Sequence, residues 1–175
     1  MHAAFELFAA RGFDNVTMDE VARAADVSRR TAFRYFPTKE ALVFPMREER
    51  LAHFRELLTQ STEGEPALVR VRRTCLTLAK EFAAAKEMFL AQEALVASSR
   101  GLAGQERLLE REWEDAIAET LSSETAPRRA RILAAAIMGI VRGALHEWAL
   151  GGATEDLVQI GREAFAILEE PLNAT

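Results

Sequence analysis

The chain has 175 residues, 49% of them hydrophobic and 28% charged, with a formal net charge of −5 and a pI near 5.4. That length is enough for one ordinary core, or for a small domain joined to a larger one. An acidic chain does not coat nucleic acid over its whole surface, so any such contact must be confined to a patch. Residues 1–45 hold six Lys/Arg and six Asp/Glu, and 46–175 hold sixteen and twenty-one, so the excess acid lies in the C-terminal part.

Ala, Leu, Glu and Arg dominate, apolar residues recur three and four apart, and no alternating strand pattern occurs. The predicted fold is therefore all-α, with a three-helix N-terminal domain over 1–45, a larger helical domain over 46–175, and about nine helices. Glu6 and Arg11 interrupt the first apolar stretch, which argues against a secretory signal. His2–Arg11 forms a first helix with Ala4, Leu7 and Phe8 on one side, and Gly12 stops it. Thr17-Met-Asp-Glu20 is a capping box that opens a second helix through Ala25, with Val21 and Ala24 or Ala25 inward. Asp26 stands at the turn, because Asp tolerates a left-handed backbone better than most residues.

Ser28 then caps a third helix. From Ser28 to Lys39 the chain carries Arg29, Arg30, Arg34 and Lys39 with no acid. Helical spacing puts Arg29, Arg30, Phe33 and Arg34 on one face and Ala32 and Phe36 on the other, so one side can be buried while the other meets an anion. Two short helices joined by a tight turn, the second with outward-pointing Arg, make a helix-turn-helix pattern. Spacing alone leaves open an ordinary helix pair in an all-α protein.

The residues in detail narrow this. Phe5-Glu-Leu-Phe-Ala-Ala-Arg-Gly-Phe13, Thr17-Met-Asp-Glu-Val-Ala22, Val27-Ser28 and Thr31-Ala-Phe-Arg-Tyr-Phe-Pro-Thr-Lys-Glu-Ala-Leu42 closely resemble the DNA-binding domain of the TetR (tetracycline-repressor) family over about residues 3–44. The resemblance implies that Thr17 and Lys39 touch phosphate, and that Ser28, Arg29, Arg30, Thr31 and Arg34 reach base edges or nearby phosphates. It places Tyr35 where an aromatic contacts the DNA backbone. Phe33 stands where Tyr is usual, which leaves packing or thymine-methyl contact for that position. Asp26 replaces the commoner Gly, and the first helix begins later than the family pattern.

From Lys39 a helix is expected to run toward residue 60, with Pro45 either kinking it or ending it. Gly64-Glu-Pro66 breaks the chain. Pro66–Ala85 turns Leu68, Val71, Cys75, Leu78 and Phe82 inward, and Arg70-Val-Arg-Arg73 reads as a solvated face. Cys75 is the sole cysteine, which excludes an intramolecular disulfide and suits a reducing, cytoplasmic setting. Lys86–Ser99 contributes Met88, Phe89, Leu90, Leu95 and Val96. Ser98-Ser-Arg-Gly101 is expected as a loop, and Leu102–Ser122 follows with Leu108, Leu109, Trp113, Ile117 and Leu121.

Phe82, Met88, Phe89, Leu95, Trp113 and Ile117, with Gln92, Glu112 or Glu114 as polar contacts, suit either plain core or a ligand cavity. The TetR resemblance implies a small-molecule effector pocket in this region. Pro127 starts a helix through Leu150 in which Ala135, Gly139 and Gly143 recur four apart and allow a close approach. Its uncharged run Ile132–Val141 is short of the roughly 20 residues of a membrane span, so no membrane partner is expected. Thr154–Glu170, with Leu157, Ile160, Gly161, Ala164, Phe165 and Leu168, ends before Pro171. These last two helices either close the core or, as the resemblance implies, form a two-fold homodimer interface through Ala135, Gly139, Gly143, Leu157, Ile160 and Phe165.

His2, His53 and His146 lie far apart with no metal-ligand spacing, and no phosphate loop or nucleophile turn occurs. No cofactor, metal or catalytic residue is therefore expected. The resemblance implies a homodimeric, ligand-responsive repressor that binds a palindromic double-stranded DNA operator and is released by a largely apolar effector. The alternatives are a helical protein-interaction module and a family member that activates.

Overall fold

A computed structural model describes residues 2–169, and within them every regular element is helical. They form two compact units, one made of the residues up to Arg47 together with Glu87–Leu108, the other of Glu48–Lys86 together with Leu109 onward. The segment 87–108, expected within the larger domain, thus groups with the N-terminal helices.

In the first unit, α1 (His2–Arg11) buries Ala4, Phe5 and Phe8. Phe5, rather than Leu7, completes the apolar side, because 5 and 8 lie three apart while Leu7 falls at the edge of the stripe. Gly12 ends the helix at φ 80°, a conformation that suits glycine, and its amide donates to Phe8 O at 2.8 Å. A 3₁₀ turn, Phe13–Asn15, sets the Phe13 ring edge-on to Phe8 with centroids 5.1 Å apart. The second helix, α2 (Met18–Ala24), buries Met18, Val21 and Ala22, while Ala24 and Ala25 are exposed. Here the inward partner of Val21 is its neighbour, since the short helix packs on both α1 and α3 (Arg29–Tyr35).

Helix α4 is a single turn, Glu40–Val43, and α5 spans Arg47–Thr59. The long helix expected from Lys39 is therefore broken at Pro45, which lacks an amide donor, and Met46 takes φ 54°. The kink expected at Pro45 is not found, and the alternative, a helix boundary, describes it. Helix α7 (Lys86–Ser98) buries Phe89, Leu95 and Val96 but leaves Met88 exposed. The loop expected at 98–101 shrinks to Ser99. Its hydroxyl accepts from Leu102 N at 3.4 Å and donates to Asp14 Oδ1 at 3.4 Å, so α8 (Arg100–Leu121) starts at once and takes in Gly101.

In the second unit, α5, the lower part of α8, α6 (Ala67–Ala84) and α9 (Pro127–Leu150) share a core. That core contains Phe54, Leu58, Val71, Leu78, Ile117, Leu121, Ile137 and Phe165. Trp113 lies on Phe54, with ring centroids 4.6 Å apart. Leu68 is exposed rather than inward, and fully buried Thr74 takes that side of α6, because the stripe runs through 67, 71, 74 and 78. Burial pushes the thiol of Cys75 up to about 12. Pro127 opens α9 at its first position, as its missing amide allows. The helix has an 18-residue window of mean hydropathy 1.3, long and apolar enough by composition to cross a membrane, although the uncharged run within it is short. Ala130, Ala134 and Ile137 of the same helix pack into the core.

The last described helix, α10 (Leu157–Glu169), starts after Asp156, whose carboxylate accepts from Val158 N at 2.9 Å, and so later than the expected Thr154. It packs on α9 and α6. The expected stop at Pro171 lies outside the described residues.

Candidate nucleic-acid interface

The capping box of α2 is complete. Thr17 N and Thr17 Oγ1 each donate to Glu20 Oε2 at 2.8 Å, and Glu20 N donates to Thr17 Oγ1 at 3.3 Å. Arg11 Nη1 adds a 2.8 Å ion pair to the other oxygen of Glu20. The Thr17 backbone amide, then Arg11 and the Thr17 hydroxyl, hold the Glu20 carboxyl at about 2, well below its ordinary 4.5. The start of α2 is thereby tied to the end of α1.

The turn into α3 runs through Asp26 at φ 53°, as its side chain permits. Ser28 Oγ then accepts from Thr31 N at 3.0 Å and pairs with Thr31 Oγ1 at 2.8 Å. This cap satisfies an orphan amide of the first turn and leaves Arg29 and Arg30 at the solvent end of a short, ordered helix. Ala32 is buried, so the opposite face carries Arg29, Arg30, Phe33 and Arg34, all exposed.

These cations are not equivalent. Arg29 Nε pairs with Asp19 Oδ1 of α2 at 3.2 Å, and its guanidinium lies 5.4 Å from the Phe33 ring centroid, yet its side chain stays 71% exposed. Arg34 donates to the Tyr35 hydroxyl at 3.2 Å and stacks over that ring at 4.8 Å. Tyr35 is itself 66% exposed. Arg30 makes no ion pair among the described residues. An anion approaching α3 thus meets one free guanidinium and two that must be drawn from neighbours of modest strength.

Lys39, expected on phosphate, is half-buried. Its ammonium donates to Phe13 O at 2.7 Å and Val16 O at 3.0 Å and sits 4.2 Å above the Phe13 ring. Two of its three donors therefore pin the start of α4 to the α1–α2 junction. Sequence reasoning missed this clamp and the Asp19–Arg29 pair, because both join residues of different helices that no spacing rule connects.

The residues expected to line a ligand cavity fall in two units. Met88, Phe89, Gln92 and Leu95 lie on α7 in the first, and Phe82, Trp113 and Ile117 lie in the second. Within the second, Ile117 is fully buried, Trp113 covers Phe54, and Arg50 lies 4.5 Å over the Phe82 ring. Of the residues expected at a dimer interface, Leu157 and Phe165 are 2% and 4% exposed within the single chain. They belong to its own core because α10 packs inward with that edge. Ala135 and Gly143 are exposed, Gly139 and Ile160 are half-buried, and a Cβ on Gly143 would meet nothing within 4 Å.

Comparison with known proteins places these observations. Residues 1–46 match the family model for bacterial regulatory proteins of the tetR family. A Mycobacterium tuberculosis protein called a mycofactocin biosynthesis transcriptional regulator, MftR, is 47% identical over 55 residues, which make up 31% of this chain and 28% of that relative. The chain therefore spans well under a third of that relative's length in the match. Thermus thermophilus FadR, a TetR-family transcriptional repressor solved with lauroyl-CoA, is 28% identical with a TM-score of 0.61, over 99% of this chain and 93% of that one. NalD, the secondary repressor of the MexAB-OprM efflux pump in Pseudomonas aeruginosa, shares the fold at a TM-score of 0.70 and 17% identity, over 96% and 91% of the two chains.

Proposed function

We propose that this chain, whose residues 1–46 match the family model for tetR-type regulatory proteins, is a TetR-family regulator that represses transcription from a palindromic operator as a homodimer. In this reading residues 1–45 form the DNA-binding domain and 46–175 the effector-binding and dimerisation domain. The protein acts in the cytoplasm and has no enzymatic role. The observation that carries the reading is the capped helix α3, which projects Arg29, Arg30 and Arg34 from a face without a carboxylate of its own.

The helix enters a major groove, where Arg30 takes a base edge and Arg29 and Arg34 exchange their intramolecular partners for guanine or phosphate. Thr31 and Phe33 pack against the groove, and Tyr35 meets the sugar-phosphate backbone. Lys39 keeps its third N–H for a phosphate, and Ser28 its hydroxyl proton when Thr31 donates in their pair, whereas Thr17 must give up its hydroxyl bond to Glu20 to do the same. Two such helices related by a two-fold axis read half-sites about 34–36 Å apart, or a multiple of that. An effector lowers operator affinity by binding better to a state whose reading heads are wrongly spaced. The lauroyl chain of the lauroyl-CoA held by Thermus thermophilus FadR supports an effector with an apolar portion.

Fluorescence anisotropy with duplexes from the flanking intergenic DNA, against scrambled controls at moderate salt, tests the reading. Saturable, sequence-dependent binding is expected, weakened by an apolar ligand that also raises the thermal midpoint. Binding that is absent or indifferent to sequence would instead favour a protein-interaction module.

A further inference from the structure

The second unit carries a groove of about 350 Å³ along the flank of α6 that faces α10. At Gly161 α10 lies against α6: a Cβ there would stand 2.9 Å from Leu76 Cδ2, the tip of a side chain that borders the groove. The approach brings Val158 and Arg162 of α10 beside Arg72, Arg73, Leu76 and Lys80 of α6. These α6 residues lie beside the stripe Val71, Thr74 and Leu78 that enters the core, so the groove is separate from Phe82, Trp113 and Ile117.

The charge of this groove is at odds with its surroundings. Four of its lining side chains are cations and none is a carboxylate, although acids outnumber bases twenty-one to sixteen in residues 46–175. Arg73 is held by Glu65 at 3.0 Å and by the Gln60 carbonyl, which fixes its guanidinium at the rim. Lys80 and Arg162 are exposed and make no ion pair among the described residues. Lys80 and Arg162 are thus the two lining cations whose donors remain for an incoming anion. Leu76 and Val158 add apolar surface to the same lining.

We infer that the α6–α10 groove binds a small phosphate ester bearing an apolar portion, with Arg162 and Lys80 on the phosphate and Leu76 and Val158 under the carbon chain. Guanidinium forks and an ammonium suit phosphate oxygens, and the volume lies at the lower end of the roughly 300–1,000 Å³ of small-molecule sites. Inorganic phosphate would use the cations alone, and a neutral amphiphile the apolar surface alone. The inference does not depend on the DNA-binding reading.

Isothermal titration of the full chain with dodecyl phosphate, inorganic phosphate and dodecyl maltoside tests it, alongside the double variant Lys80→Gln/Arg162→Gln. Dodecyl phosphate should bind about tenfold more tightly than either control, and the double variant should lose about that factor. Its thermal midpoint should not move, since both side chains are solvated. The single Lys80→Glu variant should weaken binding in the same direction and serves should the double variant fold poorly. Cosedimentation with phosphatidic acid vesicles, lost in the variants, would assign the phosphate to a lipid headgroup; no cosedimentation with dodecyl phosphate binding intact would assign it to a soluble ester. Dodecyl phosphate bound no better than the maltoside, or bound equally by the variants, overturns the site. The variants should retain duplex binding, so the two proposals fail separately.

Discussion

Arg30 stands apart from the other cations of α3 because no ion-pair partner competes for it among the described residues. Arg30→Ala should therefore relax sequence preference by about 1–3 kcal/mol, read as the operator-to-scrambled affinity ratio. Arg29→Ala should act in the same direction but more weakly, since it also frees Asp19 from a 3.2 Å pair. Lys39 is expected to behave differently from a simple phosphate contact. Removing its ammonium leaves Phe13 O and Val16 O without their charged donor, so Lys39→Ala should lower stability by about 2 kcal/mol in denaturant unfolding, besides weakening every duplex alike. Glu20 gives a pH signature. Its folded pKa of about 2 lies below its ordinary 4.5, so the stabilisation it brings is present above 4.5 and is lost as pH falls through 2. Unfolding midpoints followed from pH 5 downward should show this loss, and Glu20→Gln should flatten it.

At the scale of the element, α3 illustrates how little local structure a short helix has to spare. Seven residues are too few to hold a helix by propensity alone, so the Ser28 cap and the packing of Ala32 do most of the ordering. Ser28→Ala should cost about 1 kcal/mol and fray the turn that carries Arg29 and Arg30, seen as faster amide exchange at Thr31. Helix signals of this kind were legible in the sequence because they are local: the Thr17–Glu20 box, Gly12, Asp26, Ser28 and Pro127 each act within four residues. The break at Pro45 was legible only as two alternatives. Proline removes one donor in either case, and whether the helix bends or ends depends on what the neighbouring backbone packs against, here with Met46 taking φ 54°. At Ser99 the cap on Leu102 N is local and was open to the same reasoning, whereas the bond that its hydroxyl donates to Asp14, 85 positions away, was not.

For the whole molecule the open question is what meets the outer faces of α9 and α10. Ile132 and Leu150 of α9 are exposed, as are Ala135 and Gly143 of the same helix and Ile167 of α10, a set that suits a second copy of the chain. Gly143 offers a test by sign. Since a Cβ there would meet no atom of another element within 4 Å among the described residues, Gly143→Ala should stabilise an isolated subunit by about 1 kcal/mol, whereas Gly143→Leu should block close approach of a partner helix. Sedimentation should show a dimer for the native chain and a shift toward monomer for Gly143→Leu. A native chain that stays monomeric at high concentration would remove the dimer from the reading.

Periodicity, caps and breakers acting over a few residues determined the all-helical class, nearly every helix, and the basic face of α3, because those properties depend only on near neighbours along the chain. Tertiary structure alone decided that Lys39 is clamped to two carbonyls, that Arg29 has Asp19 for a partner, and that Leu157 and Phe165 belong to the chain's own core. It also grouped 87–108 with the N-terminal helices and set Arg162 beside Lys80. Each of these is a meeting of residues far apart in sequence, where the outcome rests on which helix faces pack together, and a one-dimensional pattern carries no record of that choice.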